Sequence, residues 1–303
     1  MKKTILTVAL AGLLGLGVAG ASLGQLPTAY KAPKGPGGHP DFNGVWRVGN
    51  GAMWDIEPHA AKPAIQMRDG PVVPVPAKSV VALGAIGSVP AGMGVVLGPN
   101  GEPGGTLPYK PDMLRVRNEN QSKNITVTEA GTPTEHFLAR DPEINCYLPG
   151  IPRANYMQHM PFQIFQSDNQ MLMAYEYAGA VRSVFMTPQG EPAIDSWMGQ
   201  SVGHWEGDTL VVVVKGQVDR SWFDRAGNFH GPDMTVTERW TMISPFHIRY
   251  EATVDDPNTF TRPWKMSMIL YKQVGEDNRL QQFKCVEFVT ELLYGHLRAH
   301  PLQ

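Results

Sequence analysis

Side chains that could act as acids or bases lie beside strand-forming residues in the second half of the chain. His204 and Glu206 stand two residues apart, just before the valines at 211–214. On a strand, residues two apart share a face. Both side chains are therefore predicted to point into a barrel or sheet interior, where burial shifts pKa values toward neutrality. The alternative is that Glu206 and Asp208 only form a solvated turn.

A second polar set follows in the sequence. His230 leads into a predicted strand that carries Glu238. A buried glutamate needs a partner, and Arg182 on the strand at 181–187 is the candidate. This pair is either a structural salt bridge or part of a site. If the protein is an enzyme, the predicted catalytic residues are His204, Glu206, His230, Glu238 and Arg182.

A serine motif occurs in the same region. Gly199-Gln-Ser201-Val-Gly203 matches the nucleophile pattern of many serine hydrolases. In those enzymes the serine stands on a sharp turn between a strand and a helix. Here the motif is followed by a predicted hairpin. We therefore expect Ser201 to lie at the start of a strand and not to act as a nucleophile.

Metal and cofactor motifs are weak in this chain. His296 and His300 have the spacing that places two imidazoles on one helix face, and Met157 with His159 would suit a soft copper ion. The alternatives are a frayed terminal pair and ordinary core packing. Zinc-spaced Cys/His clusters, phosphate loops and dinucleotide fingerprints do not occur in the sequence. We predict no metal and no cofactor, and the sequence leaves these two pairs open.

Aromatic residues are the candidate ligand contacts. Tyr175 and Tyr177 share one face of a predicted strand, where they either line a pocket or face solvent. The predicted ligand-binding residues are Trp197, Trp205, Tyr175, Tyr177 and Trp264.

The N-terminus has the pattern of a signal peptide at residues 1–21. Lys2 and Lys3 precede an apolar run at 5–18, and small residues follow at 19–21. That run is shorter than the roughly 20 residues of a membrane span. We therefore predict a periplasmic or secreted protein without membrane insertion.

Charge and cysteine content narrow the possible partners. A formal net charge of -2 gives no electrostatic footprint for nucleic acid. In an oxidising compartment the two cysteines, Cys146 and Cys285, are predicted to form a disulfide. The sequence gives no indication of the oligomeric state.

Strand patterns predict the fold. Residues 22–40 are rich in Pro, Gly and Lys and are predicted to be a flexible leader, and residues 69–111 a Pro/Gly-rich cover. From about residue 124, strand-forming runs alternate with turn signals, and only 289–299 has a helical pattern. We predict one all-β domain over 41–303. It is an antiparallel up-and-down barrel or strongly curved sheet of about eight strands, with a short C-terminal helix.

Two resemblances accompany this prediction. Phe42-Asn-Gly44-Val-Trp46 resembles the Gly-x-Trp signature of lipocalin-like barrels. The stretches 146–153, 196–212 and 261–264 resemble a group of exported bacterial proteins of unknown function, and this resemblance covers about residues 140–298. It implies a shared fold and no particular activity.

Two functions fit these features. The first is an exported binding protein that holds an apolar small molecule in a barrel cavity. The alternative is a cofactor-free acid–base enzyme, such as a lyase, hydratase, isomerase or hydrolase, acting on an apolar substrate. Convergence of the candidate acids and bases in one cavity would favour the enzyme.

Overall fold

The fold is taken from a computed structural model of the chain. The predicted signal peptide, the predicted C-terminal helix, His159, His296 and His300 lie outside the residues that the structure describes. Those residues are 30–61, 64–68, 75–80, 90–125, 141–157, 160–275 and 278–286.

Nine of the eleven strands in the described residues form a closed barrel. Strands β2 and β3 form a separate two-stranded sheet, and the order around the barrel is β1-β11-β10-β9-β8-β7-β6-β5-β4. The strands are β1 (Gly44–Val48), β2 (Ala64–Arg68), β3 (Val75–Val80), β4 (Phe162–Gln166), β5 (Gln170–Tyr175), β6 (Val181–Phe185), β7 (Gln200–Glu206), β8 (Thr209–Lys215), β9 (Thr235–Ser244), β10 (His247–Asp255) and β11 (Trp264–Lys272). The predicted β-barrel is therefore present.

Large apolar side chains fill the barrel. Along β9, β10 and β11, buried residues alternate with more exposed ones, as expected for strands with one face in a core. A ligand-sized cavity would leave part of its lining side chains accessible. The largest inward side chains are instead at most 1% exposed: Trp46, Phe162, Met173, Trp240 and Tyr250. The cavity expected from the sequence is therefore occupied by the protein's own side chains.

One junction of the barrel departs from the predicted topology. β6 and β7 pair in parallel, through Val184 with Ser201 and Phe185 with Val202. The connection between them spans residues 186–199 and returns the chain to the same end of the barrel. The sequence interpretation treated every connection as a short hairpin. The barrel is therefore mixed and has nine strands, and the prediction of an antiparallel barrel of about eight strands was wrong in this respect.

The described residues contain one α-helix, α1 (Pro111–Ile125), which the sequence interpretation missed. Pro111 and Asp112 suit the first turn of a helix, but the segment is mostly polar and has no clear apolar stripe. The sequence pattern also predicts a strand at 280–288, but its described residues, 280–286, are irregular. No helix in the described part of the chain has both the length and the apolarity to cross a membrane.

Residues 30–40 are the described part of the predicted leader, and they contact the barrel. Lys34 forms an ion pair with Asp208 at the β7–β8 turn. The backbone N–H of Gly37 donates to Asp168 over 2.7 Å. These contacts fasten the leader across the strand turns at one end of the barrel.

The predicted cover is partly regular. Its residues 75–80 form β3, which pairs with β2, and the register shifts at Gln66/Met67, opposite Pro76. A two-stranded sheet with this irregularity tolerates a proline that a central strand would not. Further along, Ser267 of β11 donates its N–H to the Val95 carbonyl over 3.0 Å. The described part from residue 90 onward therefore packs against the barrel wall.

The predicted disulfide is present. Cys146 and Cys285 are bonded, with Cα atoms 5.6 Å apart. The bond joins the end of a 3-10 turn at 142–145 to the last described segment, 278–286.

Candidate functional site

Arg182 and Glu238 form an ion pair inside the barrel. Arg182 lies on β6 and Glu238 on β9, and both side chains are at most 1% exposed. The Arg182 Nη1 atom lies 3.3 Å from Glu238 Oε1, and Nη2 contacts Oε2. The partnership expected from the sequence is therefore confirmed.

Neutral polar side chains complete this interior polar cluster. Glu238 Oε1 accepts hydrogen bonds from Asn155 Nδ2 and from the Tyr250 hydroxyl, each over 2.8 Å. The Tyr175 hydroxyl donates to Asn155 Oδ1 over 2.9 Å. Arg182 Nε donates to Ser201 Oγ over 2.8 Å. The interior polar cluster thus comprises Arg182, Glu238, Asn155, Tyr175, Tyr250 and Ser201.

The interior polar cluster keeps its protons at working pH. Burial raises the pKa of Tyr175 to about 12 and raises that of Tyr250 well above its usual value. Both tyrosines therefore remain hydrogen-bond donors. Burial lowers and Glu238 raises the pKa of Arg182, and the net shift is upward. The tyrosines and the guanidinium thus supply fixed donors and not exchangeable protons.

His204 and Glu206 lie on the outer wall, in contrast to the prediction that they point inward. Their side chains are 57% and 49% exposed. On β7 the inward positions are Ser201 and Gly203, so the alternate residues face out. His204 Nε2 lies 3.3 Å from Glu206 Oε1, and Arg239 donates to Glu206 Oε2 over 2.8 Å. These contacts with Arg239 and His204 lower the pKa of Glu206.

His230 occupies a third place, in the loop between β8 and β9. Its Nδ1 lies 2.8 Å from the Gly231 carbonyl, which can only accept, so Nδ1 carries the proton. Nε2 then accepts a hydrogen bond from the Ser221 hydroxyl over 2.9 Å. Burial lowers the pKa of His230. The five predicted catalytic residues therefore lie in three separate parts of the molecule.

The buried His230 makes stability depend on pH. We expect the contribution of His230 to the free energy of unfolding to fall as the pH is lowered from about 7 to about 5. The folded state keeps the imidazole neutral, whereas the unfolded chain binds a proton below roughly pH 6.5. This contribution is complete above that pH and is lost as the pH falls toward the folded-state pKa. Urea unfolding at several pH values gives the slope of the unfolding free energy against pH, and His230→Gln should lose the part of this slope that comes from His230.

The exposed His204 offers a matched control for this experiment. His204→Gln leaves the buried imidazole in place and should keep the wild-type slope. A slope that is the same for His230→Gln and for the wild-type protein would contradict the assignment.

The predicted ligand-binding aromatic residues do not converge either. Tyr175 belongs to the interior polar cluster. Trp264 packs its ring 5.2 Å from that of Phe223, and Trp197 lies 4.7 Å from Tyr147. Trp205 stacks on His39 at 4.4 Å and on Phe42 at 5.7 Å. Tyr177 donates its hydroxyl to backbone carbonyls. These aromatic residues pack the fold.

A groove lies on the outer wall, where β7 and β8 meet the connection after β6. We call it the outer groove, and its volume is about 540 Å³. His204 is one of its lining residues. At its rim, Lys215 Nζ lies 2.8 Å from Glu191 Oε1. The lining residues are Met186, Pro188, Gln189, Gly190, Glu191, Pro192, Gln200, Val202, Gly203, His204, Val213 and Lys215.

A buried charge network near the barrel was not anticipated from the sequence. Arg153 binds both oxygens of Asp141 at 2.8 Å and also contacts Glu143 at 2.9 Å. Arg225 binds the same Glu143 through Nε at 2.7 Å. These residues come from irregular segments, where no periodicity indicates which side chains meet. Because the arginine and carboxylate charges neutralise one another, we interpret the network as a structural contact that holds two loops together.

Asp224 organises the same region. It accepts hydrogen bonds from the backbone N–H groups of Ile56, Ala226 and Asn228 and from the Asn228 side chain. Burial, assisted by the nearby Asp55 carboxylate, raises the pKa of Asp224 to about 7, although the donors lower it. Four converging donors indicate a loop-fixing role.

The chain matches no protein-family model, no curated protein and no solved structure. Among the described residues, no group of three or more His, Cys, Asp or Glu side chains is arranged to hold a metal ion. The proposals below are therefore argued from the geometry of the described residues alone.

Proposed function

We propose that the protein is an exported binding protein for a small molecule with an apolar body, and that the ligand occupies the outer groove. The observation that carries this proposal is the groove itself. Its volume of about 540 Å³ falls within the usual range for small-molecule sites, roughly 300–1,000 Å³. The sequence placed the ligand inside the barrel, but the packed interior moves the proposed site to the outer wall.

The groove has an apolar floor. Val202 and Val213 are direct cross-strand partners on β7 and β8. Both face outward and are only half-buried. Met186, Pro188 and Pro192 also line the groove. These residues would contact the apolar body of a ligand without a desolvation penalty.

Polar groups mark the two ends of this floor. Gln200 and Lys215 are cross-strand partners at one end. His204 lies four residues further along β7, about 13 Å away at roughly 3.3 Å per residue. The Lys215–Glu191 pair is exposed, so its mutual attraction is weak and Lys215 remains available to an anionic group. The favoured ligand therefore has an apolar middle and a polar or anionic group at an end.

Export and family are part of the same proposal. The Cys146–Cys285 disulfide supports an oxidising, periplasmic or secreted location. The Gly44-x-Trp46 start lies in β1, with the Trp46 ring buried and its Nε1 donating to the Phe42 carbonyl over 2.8 Å. This supports a lipocalin-like start, whereas the parallel β6–β7 junction differs from an up-and-down barrel.

We expect a charge in the floor of the groove to weaken binding. Native mass spectrometry of protein purified from its own host would show a retained small molecule. In parallel, 8-anilinonaphthalene-1-sulfonate, which has an apolar body and one anionic group, serves as a fluorescent probe. Val202→Asp should weaken probe binding at least about tenfold, or about 1.4 kcal/mol.

A strand outside the groove supplies the control. Thr253 faces outward on β10 and is half-buried like Val202, so Thr253→Asp should leave probe binding unchanged. Equal binding by wild-type protein and Val202→Asp, with no retained molecule in the native spectrum, would refute the proposed site.

One observation favours the acid–base enzyme as a second candidate. His204 lines the outer groove, and its Nε2 contacts Glu206, which can hold the imidazole in position. In this case a molecule bound in the groove would be converted, and His204 would be the general base. If His204→Gln keeps probe affinity but stops product formation from the retained molecule, the protein is an enzyme. If no product forms with wild-type protein, it is a binding protein.

A further inference from the structure

The loop between β8 and β9 brings a serine hydroxyl onto an imidazole. Ser221 Oγ lies 2.9 Å from His230 Nε2. The Nδ1–H group of His230 donates to the Gly231 carbonyl over 2.8 Å. That bond fixes the tautomer in which Nε2 has a free lone pair, so the serine must be the donor. A hydroxyl bonded to an oriented, neutral imidazole is the arrangement of an activated nucleophile and its base.

The surroundings hold the base in this orientation. The Gly231 N–H group donates to Asp256 Oδ2 over 2.7 Å, so the residue that accepts from His230 is itself anchored. Asp256 accepts two further backbone hydrogen bonds, from Asn258 and Thr259. The charges that act on His230 are those of Asp256 and Asp219, and they favour the imidazolium that forms when the base takes a proton.

We propose that Ser221 and His230 form a nucleophile–base pair that transfers a small acyl group from an activated ester to water. Ser221 Oγ forms a bond to the acyl carbon while its proton passes to His230 Nε2. The ester C–O bond breaks, and the leaving alcohol takes that proton. His230 then removes a proton from water, which attacks the acyl-serine. The bond between the acyl carbon and Ser221 Oγ breaks, His230 returns its proton to Oγ, and the acid is released. This proposal does not depend on the outer groove.

Gly150 limits the size of the acyl group. It has φ +70°, and a Cβ atom at this position would lie 2.6 Å from Ser221 Oγ. The glycine backbone therefore lies directly against the hydroxyl. The Gln217 side chain holds the neighbouring Ile151 through hydrogen bonds of 2.6 and 3.0 Å to its N–H and carbonyl groups. An acyl donor must displace this segment, which favours groups as small as acetyl.

The serine of the Gly-x-Ser-x-Gly motif is in a different situation. Ser201 lies inside the barrel and accepts a hydrogen bond from Arg182. A guanidinium cannot accept the serine proton, so Ser201 is not activated. Ser201 and Ser221 are the two buried serines among the described residues, and of these only Ser221 is bonded to a base. This contrast supplies a matched control.

A fluorophosphonate probe tests the proposal. It should attach covalently to wild-type protein, and peptide mapping should place the adduct on Ser221. Labelling and hydrolysis of p-nitrophenyl acetate should fall at least about 100-fold in Ser221→Ala and in His230→Gln, as expected for loss of the nucleophile or its base. Ser201→Ala should label like the wild-type protein.

The mapping on the unaltered chain decides the matter even if a variant fails to fold. An absent adduct, or an adduct on any residue other than Ser221, would overturn the proposal. Ser221→Cys adds a second readout. Its reaction with iodoacetamide should persist at a pH below that of an ordinary thiol because His230 favours the thiolate. An ordinary pH profile would also overturn it.

Discussion

Replacing Arg182 with methionine is expected to destabilise the protein by about 3–5 kcal/mol. The substitution removes the cation from a fully buried ion pair and leaves the Glu238 carboxylate inside the barrel. Two neutral donors, Asn155 and Tyr250, remain bound to that carboxylate. They cannot offset the cost of a buried charge without its counter-charge. Urea unfolding followed by circular dichroism measures the loss.

A double variant separates charge from packing. Arg182→Met combined with Glu238→Gln is neutral, and the glutamine Oε1 atom can still accept from Asn155 and Tyr250. We expect it to recover most of the lost stability, because a buried ion pair contributes little net free energy compared with neutral replacements. Lys215→Met, which breaks the exposed pair with Glu191, should cost less than about 1 kcal/mol. A double variant no more stable than Arg182→Met alone would contradict this explanation.

Loss of the disulfide is the second large effect. Cys146 and Cys285 are separated by 139 residues. The loop-entropy relation gives a stabilisation of about 5 kcal/mol for a crosslink of that span. The pair Cys146→Ser and Cys285→Ser should therefore lower the free energy of unfolding by about that amount. The final described segment is also held by the hydrogen bond from Gln281 N–H to Glu176 and by the packing of Phe283 on Tyr177.

Reductant provides the control for this prediction. It should lower the stability of wild-type protein to that of the double serine variant, and it should leave the variant unchanged. If oxidised wild-type protein and the variant unfold within about 1 kcal/mol of each other, the crosslink does not restrict the unfolded chain as the loop-entropy relation requires.

The alternation of apolar and polar residues made the strands predictable, and it also pointed to the buried contact between Arg182 and Glu238. Period-two patterns in β9 and β10 matched the buried positions, and the need of a buried Glu238 for a cation pointed to Arg182. The disulfide was predicted because two cysteines in an oxidising compartment are expected to pair. The sequence did not indicate which face of β7 points into the barrel. Its partner β8 buries the adjacent residues Val211 and Val212, so burial along β8 does not alternate and gives no guide to the inward face. His204 and Glu206 were therefore placed on the wrong face.

Other features had no periodic signal. The helix α1 has a polar sequence and packs through polar contacts such as Arg117 with Asn228. Ser221, Asp224 and the outer groove depend on irregular loops whose paths are set by tertiary contacts. The direction of β7 depends on how the connection 186–199 crosses the wall. Sequence spacing alone cannot specify such paths.

The position of β1 constrains the order in which the molecule can fold. Gly44 pairs with Ile164 on β4, and Trp46 pairs with Lys272 on β11, so the first barrel strand joins the last one. The hairpins from β7 to β11 form from neighbours in sequence, but this closing step must bring distant segments together and is entropically slow. Until β1 inserts, the edges of β4 and β11 stay open to pairing with other chains. Self-association during folding therefore competes with the insertion of β1, the barrel strand that is synthesised first and that closes the barrel last.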